Sequence, residues 1–156
     1  MVDLIEVSAV VAAAGVLVGV IYYVLDIRSQ TKLRKTDLIV RLFSNMISKD
    51  WLEAWEEVRD REITDYNDYK EKHGFVDANQ VYLFYDQLGR LLKKGLIDID
   101  SLPLETGQIN QAWEKLKPIL EGSRKRFNEP KLGSGFEYLH NEVKKREQQQ
   151  AGVKRG

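Results

Sequence analysis

The chain has 156 residues, with 24 Lys and Arg against 24 Asp and Glu, two His and no Cys. This length accommodates one compact domain with an appendage but not two sizeable cores. The absence of Cys excludes disulfides, thiolate metal sites and a cysteine nucleophile. The balanced charge argues against a dedicated nucleic-acid binder, which usually carries a basic surplus.

An uncharged run of 19 residues, 7–25, lies near the start of the chain, between Glu6 and Asp26. As a helix this run would rise roughly 28 Å, which matches a hydrocarbon core of about 30 Å. A cleaved signal peptide needs a positively charged start, whereas acidic residues precede this run. We therefore predict an uncleaved transmembrane anchor over residues 1–26.

The flanking charges predict the orientation of this anchor. No Lys or Arg precedes it, while four basic residues follow it closely: Arg28, Lys32, Arg34 and Lys35. The positive-inside rule then places the N-terminus outside the cell and the rest of the chain in the cytoplasm. Tyr22 and Tyr23 are expected at the cytoplasmic interface of the bilayer. These features predict a cell-membrane protein with the lipid bilayer as a partner.

Small side chains follow one face of the predicted span. Gly15 and Gly19 form a G-x-x-x-G pattern, and Ser8 and Ala12 extend roughly the same face. Residues of this size at this spacing let two helix backbones approach closely. The span is thus either a plain lipid-facing helix or a contact with a membrane-protein partner or a second copy of the chain.

The rest of the chain has helical periodicity, and no segment alternates with period two. Apolar residues recur at helical spacing over residues 38–47, 51–58 and 81–92 and in two later segments. The predicted fold is all-α, with a single N-terminal transmembrane helix and a cytosolic bundle of five or six helices. We assign the bundle to residues 27–147 and a polar, disordered tail to residues 148–156.

The segment 81–92 has the strongest periodicity and is predicted to be the central helix. Gly89 within it costs about 1 kcal/mol relative to Ala, and a closely crossing neighbour would explain its presence. Asp86 and Arg90 form an i, i+4 pair, and a buried Asp86 would bond within the bundle rather than act as an acid. The loop that contains Gly133 and Gly135 favours a hinge over a phosphate cradle.

Aromatic residues are the other unusual feature of the chain. Trp51 and Trp55 share one helix face and are candidates for docking a partner, because Trp is enriched at interaction hot spots. The alternative is that they belong to the core, where most aromatic side chains of a small bundle are expected.

Three segments resemble a known family: residues 82–98, 113–119 and 136–139. They are similar to the signature blocks of a prokaryotic, membrane-anchored, all-helical domain of unknown function. The resemblance implies a membrane helix followed by a helical body over nearly the whole chain. It implies no activity, cofactor or partner.

Catalytic motifs are not evident in the sequence. His73 and His140 are the only histidines, and neither belongs to an H-E-x-x-H motif. His73 is expected at a helix end, and His140 at the surface or boundary of the last helix. We predict no cofactor and no metal site.

Two classes of function remain open. The first is a membrane-anchored helical interaction module, an accessory or scaffold subunit that presents its bundle at the cytoplasmic face. The second is a membrane-tethered hydrolase or nuclease that uses carboxylates gathered by the fold. The lack of a catalytic motif favours the module.

Overall fold

The computed structural model describes residues 4–102 and 104–153, with side chains described for residues 15–102 and 104–152. The described residues contain no β-strand, so the prediction of an all-α protein is confirmed. The elements are α1 (Leu4–Met46), α2 (Lys49–Asp60), α3 (Tyr66–His73), α4 (Val76–Lys93), a 3-10 turn (Ile99–Ser101), α5 (Thr106–Phe127) and α6 (Ser134–Val153).

The predicted transmembrane helix is the main correction. No helix within residues 4–102 and 104–153 is long and apolar enough to cross a membrane. The prediction of a single membrane-spanning helix is therefore wrong. The predicted localisation is not tested by this finding.

The chain divides into two units, Met1–Leu38 and Ile39–Gly156. The described part of the first unit is the N-terminal portion of α1. The second unit contains the last turns of α1 and all later helices. The predicted polar tail is helical as far as Val153, because α6 continues well beyond residue 147.

In the second unit, α4 packs on α6 and α2, while α5 packs on α6 and α3. The apolar stripe predicted for the central helix is largely buried in α4 and meets the apolar face of α6. The buried side chains of these two helices include Val81, Phe84, Tyr85, Leu88, Phe136, Leu139 and Val143. α4 is therefore the centre of the bundle, as its periodicity predicts.

Side-chain caps fix where two of the shorter helices begin. The Ser48 hydroxyl accepts a hydrogen bond of 3.3 Å from the backbone N–H of Trp51 at the start of α2. The Asp65 carboxylate accepts bonds of 2.7 Å and 3.1 Å from the N–H groups of Asn67 and Asp68 at the start of α3. These caps satisfy N–H groups that have no acceptor within the helix.

The backbones of α4 and α6 are in direct contact at two glycines. A Cβ atom added to Gly89 would overlap the carbonyl of Gly135, and one added to Gly135 would overlap the carbonyl oxygen of Asp86. This contact confirms the prediction that a neighbouring helix crosses closely at Gly89. The cost of a helical glycine is offset here by the close packing of two helices.

Replacement of Gly89 by Ala is expected to lower the free energy of unfolding by at least about 3 kcal/mol, the upper end of the usual overpacking cost. The added methyl group meets backbone atoms of α6, which cannot rotate away. Urea unfolding followed by circular dichroism measures the effect. Gly107→Ala in α5 is the matched control, because an added Cβ there meets no atom within 4 Å; equal stability of the two variants would contradict this packing.

Candidate functional site

The N-terminal helix carries a long exposed apolar surface. Between Val16 and Ile27, ten large apolar side chains of α1 are 42% to 73% exposed. They are Val16, Leu17, Val18, Val20, Ile21, Tyr22, Tyr23, Val24, Leu25 and Ile27. Because monomeric proteins rarely expose contiguous apolar patches beyond a few hundred Å², this segment is the first candidate site. We call it the apolar segment of α1.

The predicted association face lies on this helix. Gly15 and Gly19 are open, since a Cβ atom added to either would meet no atom within 4 Å. Ser8 and Ala12, the other predicted members of the face, lie outside the residues whose side chains are described. The part of the predicted face formed by Gly15 and Gly19 is thus open to contact by another helix.

The residues predicted to lie at a membrane interface continue along the same helix. Tyr22 and Tyr23 are 73% and 65% exposed. Three of the basic residues that follow are exposed: Arg28, Lys32 and Arg34. The fourth, Lys35, is partly buried. The first part of α1 therefore changes from an apolar to a charged exposed surface at Asp26.

The predicted docking residues Trp51 and Trp55 are core residues in the structure, 4% and 8% exposed. The Trp51 ring lies 5.1 Å from the ring of Phe84 on α4 and 6.3 Å from that of Trp55. Both indoles are thus buried in the core, and Trp51 joins α2 to the central helix. The alternative assignment of these aromatics to the core agrees with this burial.

A buried carboxylate joins α4 to the start of α6. Asp86 Oδ1 accepts hydrogen bonds from the backbone N–H groups of Gly135, at 2.8 Å, and Phe136, at 3.1 Å. Its Oδ2 accepts a bond of 2.7 Å from Arg90 Nε. Asp86 therefore bonds within the bundle, as predicted for a buried position. It occupies the helix N-terminus at which a phosphate cradle was considered.

A second polar site lies between α5 and α6. His140 is only 4% exposed, and its ring stacks on Trp113 with centroids 5.1 Å apart. Its Nδ1 atom is buried without a hydrogen-bond partner among the described residues. The histidine lines a cavity of about 330 Å³ together with charged side chains of both helices. We call this cavity the His140 pocket.

The surroundings of His140 disfavour its charged form. Burial lowers the pKa of the imidazole, and the positive charges of Lys144 and Lys117 lower it further. Glu114 and Glu147 oppose this shift but do not cancel it. His140 is therefore a buried, predominantly neutral histidine near pH 7.

No group of three or more His, Cys, Asp or Glu side chains within the described residues is placed to hold a metal ion. The hydrolase or nuclease alternative stays a prediction, since no feature of the described residues assigns it a catalytic group.

Comparison with known proteins identifies the family. Residues 9–143 match a domain of unknown function, DUF4760. The chain belongs to this family. No curated protein and no solved structure matches the chain. The family match includes all three segments on which the resemblance was based, but it gives neither membrane anchoring nor a prokaryotic origin.

In this DUF4760 chain, sequence reasoning placed His140 at the surface or boundary of the last helix, whereas the structure buries it. The sequence did contain a pattern that indicates this burial, because His140 lies four residues after Phe136 and three before Val143. This spacing puts it on the apolar stripe of α6. The lack of a hydrogen-bond partner for Nδ1 is a tertiary property that the spacing does not reveal.

The Asp86 contact predicts a large loss of stability in Asp86→Ala. Two buried N–H groups at the start of α6 would lose their acceptor, at a cost of about 2–4 kcal/mol. Chemical denaturation of the full chain measures this cost. Arg90→Ala is the control, because Arg90 is 59% exposed and its removal leaves both hydrogen bonds from α6 to Asp86 in place, so a smaller loss is expected. Similar losses in the two variants would overturn the capping role.

The lowered pKa of His140 predicts that the free energy of unfolding decreases as the pH is lowered. The unfolded imidazole takes up a proton near its ordinary pKa of about 6.5, whereas the folded imidazole does so only at lower pH. The unfolded state then binds more protons, so the free energy of unfolding is highest above about pH 7 and decreases as the pH falls. Urea unfolding in chloride buffers between about pH 7.5 and 5.5 measures the slope.

The two histidines supply the control for this experiment. His140→Gln should remove most of the slope, while His73→Gln should keep it, because His73 is exposed at the end of α3. A slope that survives in His140→Gln would show that other groups cause the pH dependence.

Proposed function

We propose that this DUF4760 protein is a helical interaction module that associates with a second copy of itself through the apolar segment of α1. In this proposal the association leaves the bundle of the second unit free to be presented to other molecules. The single observation that supports it is the row of ten exposed large apolar side chains between Val16 and Ile27.

The apolar side chains of this segment favour contact with another apolar surface over exposure to water. Each large apolar side chain that is covered contributes roughly 1.5–3 kcal/mol when fully buried. The row carries no charged side chain before Asp26, so a covering helix would not have to desolvate an ion there. A second helix along the glycine face would therefore remove the part of this surface on that side of α1 from water.

The glycines support a second copy as the occupant. Gly15 and Gly19 form a shallow groove with no atom above it, and Val16 and Val20 stand beside the groove as a ridge. Helices pack by placing ridges into grooves, and small residues four apart permit close approach. Because one helix carries both shapes, two copies related by a two-fold axis are complementary to each other.

Cysteine cross-linking tests this proposal, because the chain contains no Cys of its own. Helical spacing puts Gly19 and Tyr22 on the glycine face and Val24 on the opposite face. Gly19→Cys and Tyr22→Cys should form a disulfide-linked dimer in intact cells treated with a thiol oxidant. Val24→Cys should cross-link far less, since disulfides form only when the Cα atoms are within about 7 Å.

Two further variants complete the experiment. Val76→Cys is the matched control outside α1, because Val76 is an equally exposed apolar residue, at 79%. Gly15→Ile added to Tyr22→Cys should abolish the dimer by filling the groove. Equal cross-linking at all positions, or linkage only to a protein of another size, would contradict association with a second copy.

A further inference from the structure

The last helix, α6, is attached to the rest of the bundle differently in its two halves. Its first turn is tied to α4, because the Asp86 carboxylate accepts hydrogen bonds from the N–H groups of Gly135 and Phe136. The rings of Tyr85 and Phe136 also stack, with centroids 4.9 Å apart. The first half of α6 is thus fixed to the central helix.

The second half of α6 has fewer attachments. Val143 is its last buried residue, since every later side chain that the structure describes is exposed or only half-buried. Beyond Val143, the Asn110 amide donates to both carboxylate oxygens of Glu147 at 3.2 Å and 3.3 Å. Arg146 forms an ion pair with Asp100. These polar contacts join the end of α6 to α5 and to the 3-10 turn.

His140 lies where the two halves of α6 meet. Its side chain is almost completely buried, and its ring stacks on Trp113 of α5 at an interplanar angle of 17°. Its Nδ1 atom is buried and has no hydrogen-bond partner among the described residues. Both ring nitrogens of an imidazolium are donors, so protonation in place would create a buried N–H group without an acceptor. Because such a donor is unfavourable, the stacked contact favours the neutral imidazole.

The charged groups around His140 do not offset this penalty. Burial lowers the pKa of the imidazole most, Lys144 and Lys117 lower it as well, and Glu114 and Glu147 do not cancel their effect. No charged residue of α4 is among the described residues that line the adjacent cavity. Charged side chains of α5 and α6 act on the imidazole or line that cavity: Glu114, Lys117, Glu121, Arg124, Glu137, Lys144 and Glu147.

From this arrangement we propose that residues 140–153 form an acid-released arm, which is closed on α5 by the neutral His140 ring and opens when that ring takes up a proton. We call these residues the α6 arm. The end of a helix opens at lower cost than the whole bundle, and opening brings the imidazolium into water. A detached helix of fewer than about 15 residues is only marginally stable, so the released arm unwinds.

Release of the α6 arm changes the surface of the bundle. It uncovers the face of Trp113 against which the imidazole lies. It also uncovers Ile109, a buried residue that lines one cavity together with Val143. The bundle then presents in acid an apolar surface of α5 that is covered at neutral pH. The arm belongs to the second unit and does not depend on association through α1.

Hydrogen exchange of the full chain, resolved by nuclear magnetic resonance, tests the proposal at about pH 7.5 and 5.5. An imidazole of ordinary pKa, about 6.5, in the open arm makes opening about tenfold more favourable at the lower pH. After correction for intrinsic exchange rates, the protection of residues 141–145 should fall by this factor. Their protection should be lower than that of residues 81–88 on α4 at both pH values, because only the arm opens locally.

Low concentrations of urea distinguish release of the arm from unfolding of the bundle. Local opening exposes little surface, so exchange in the arm should depend weakly on urea, whereas exchange in α4 should depend on it strongly. The same urea dependence in both segments would show that the arm opens only with the whole bundle and would overturn the proposal. Protection of the arm that does not change with pH would overturn it too.

Variants of the two histidines assign the effect. His140→Phe retains an aromatic ring beside Trp113 but cannot be protonated, so protection of its arm should not change between the two pH values. His140→Gln provides a second variant that does not titrate, in case the larger ring disturbs the packing. His73→Gln, at an exposed position, should keep the tenfold loss. Circular dichroism checks that each variant is folded, and a tenfold loss in both His140 variants would contradict the role of this residue.

Discussion

The bundle depends on one carboxylate that serves two helices at once. Asp86 lies on the central helix α4, yet its Oδ1 atom accepts the hydrogen bonds of the first free N–H groups of α6. The bonds require the α6 backbone to touch α4, and Gly89 and Gly135 make that approach possible. The position of α6 then determines which of its side chains meet α5, including His140 against Trp113. Both the apolar core and the polar pocket thus follow from this contact.

Much of this arrangement was accessible from sequence, because it depends on local periodicity. The stripe of α4 predicted a central helix, and the unfavourable Gly89 within it predicted a close neighbour. The identity of that neighbour, α6, was not accessible, because residues 86 and 135 are far apart in the chain and no spacing rule relates them. Burial of His140 was accessible in principle, since its spacing from Phe136 and Val143 is that of one helix face.

The prediction for the N-terminal run was wrong. The N-terminal run was predicted to span a bilayer from its length and lack of charge. α1, however, continues without a break through Asp26 and Arg28 as far as Met46, and no helix in the part of the chain that the structure describes is long and apolar enough to cross a membrane. For Trp51 and Trp55 the sequence left a docking surface and the core as alternatives; both are buried in the structure, because a bundle of this size uses its largest side chains to fill the core.

The glycine contact between α4 and α6 also constrains how this sequence can change. Gly89, Gly135 and Asp86 act as one unit, because a larger residue at either glycine separates the helices and removes the acceptor from the start of α6. A single substitution at any of the three therefore loses close packing, a helix cap or both. A sequence that keeps this fold without these residues would need simultaneous changes on α4 and α6, at positions 46 or more residues apart in the chain. We therefore expect residues 86, 89 and 135 to change together or not at all.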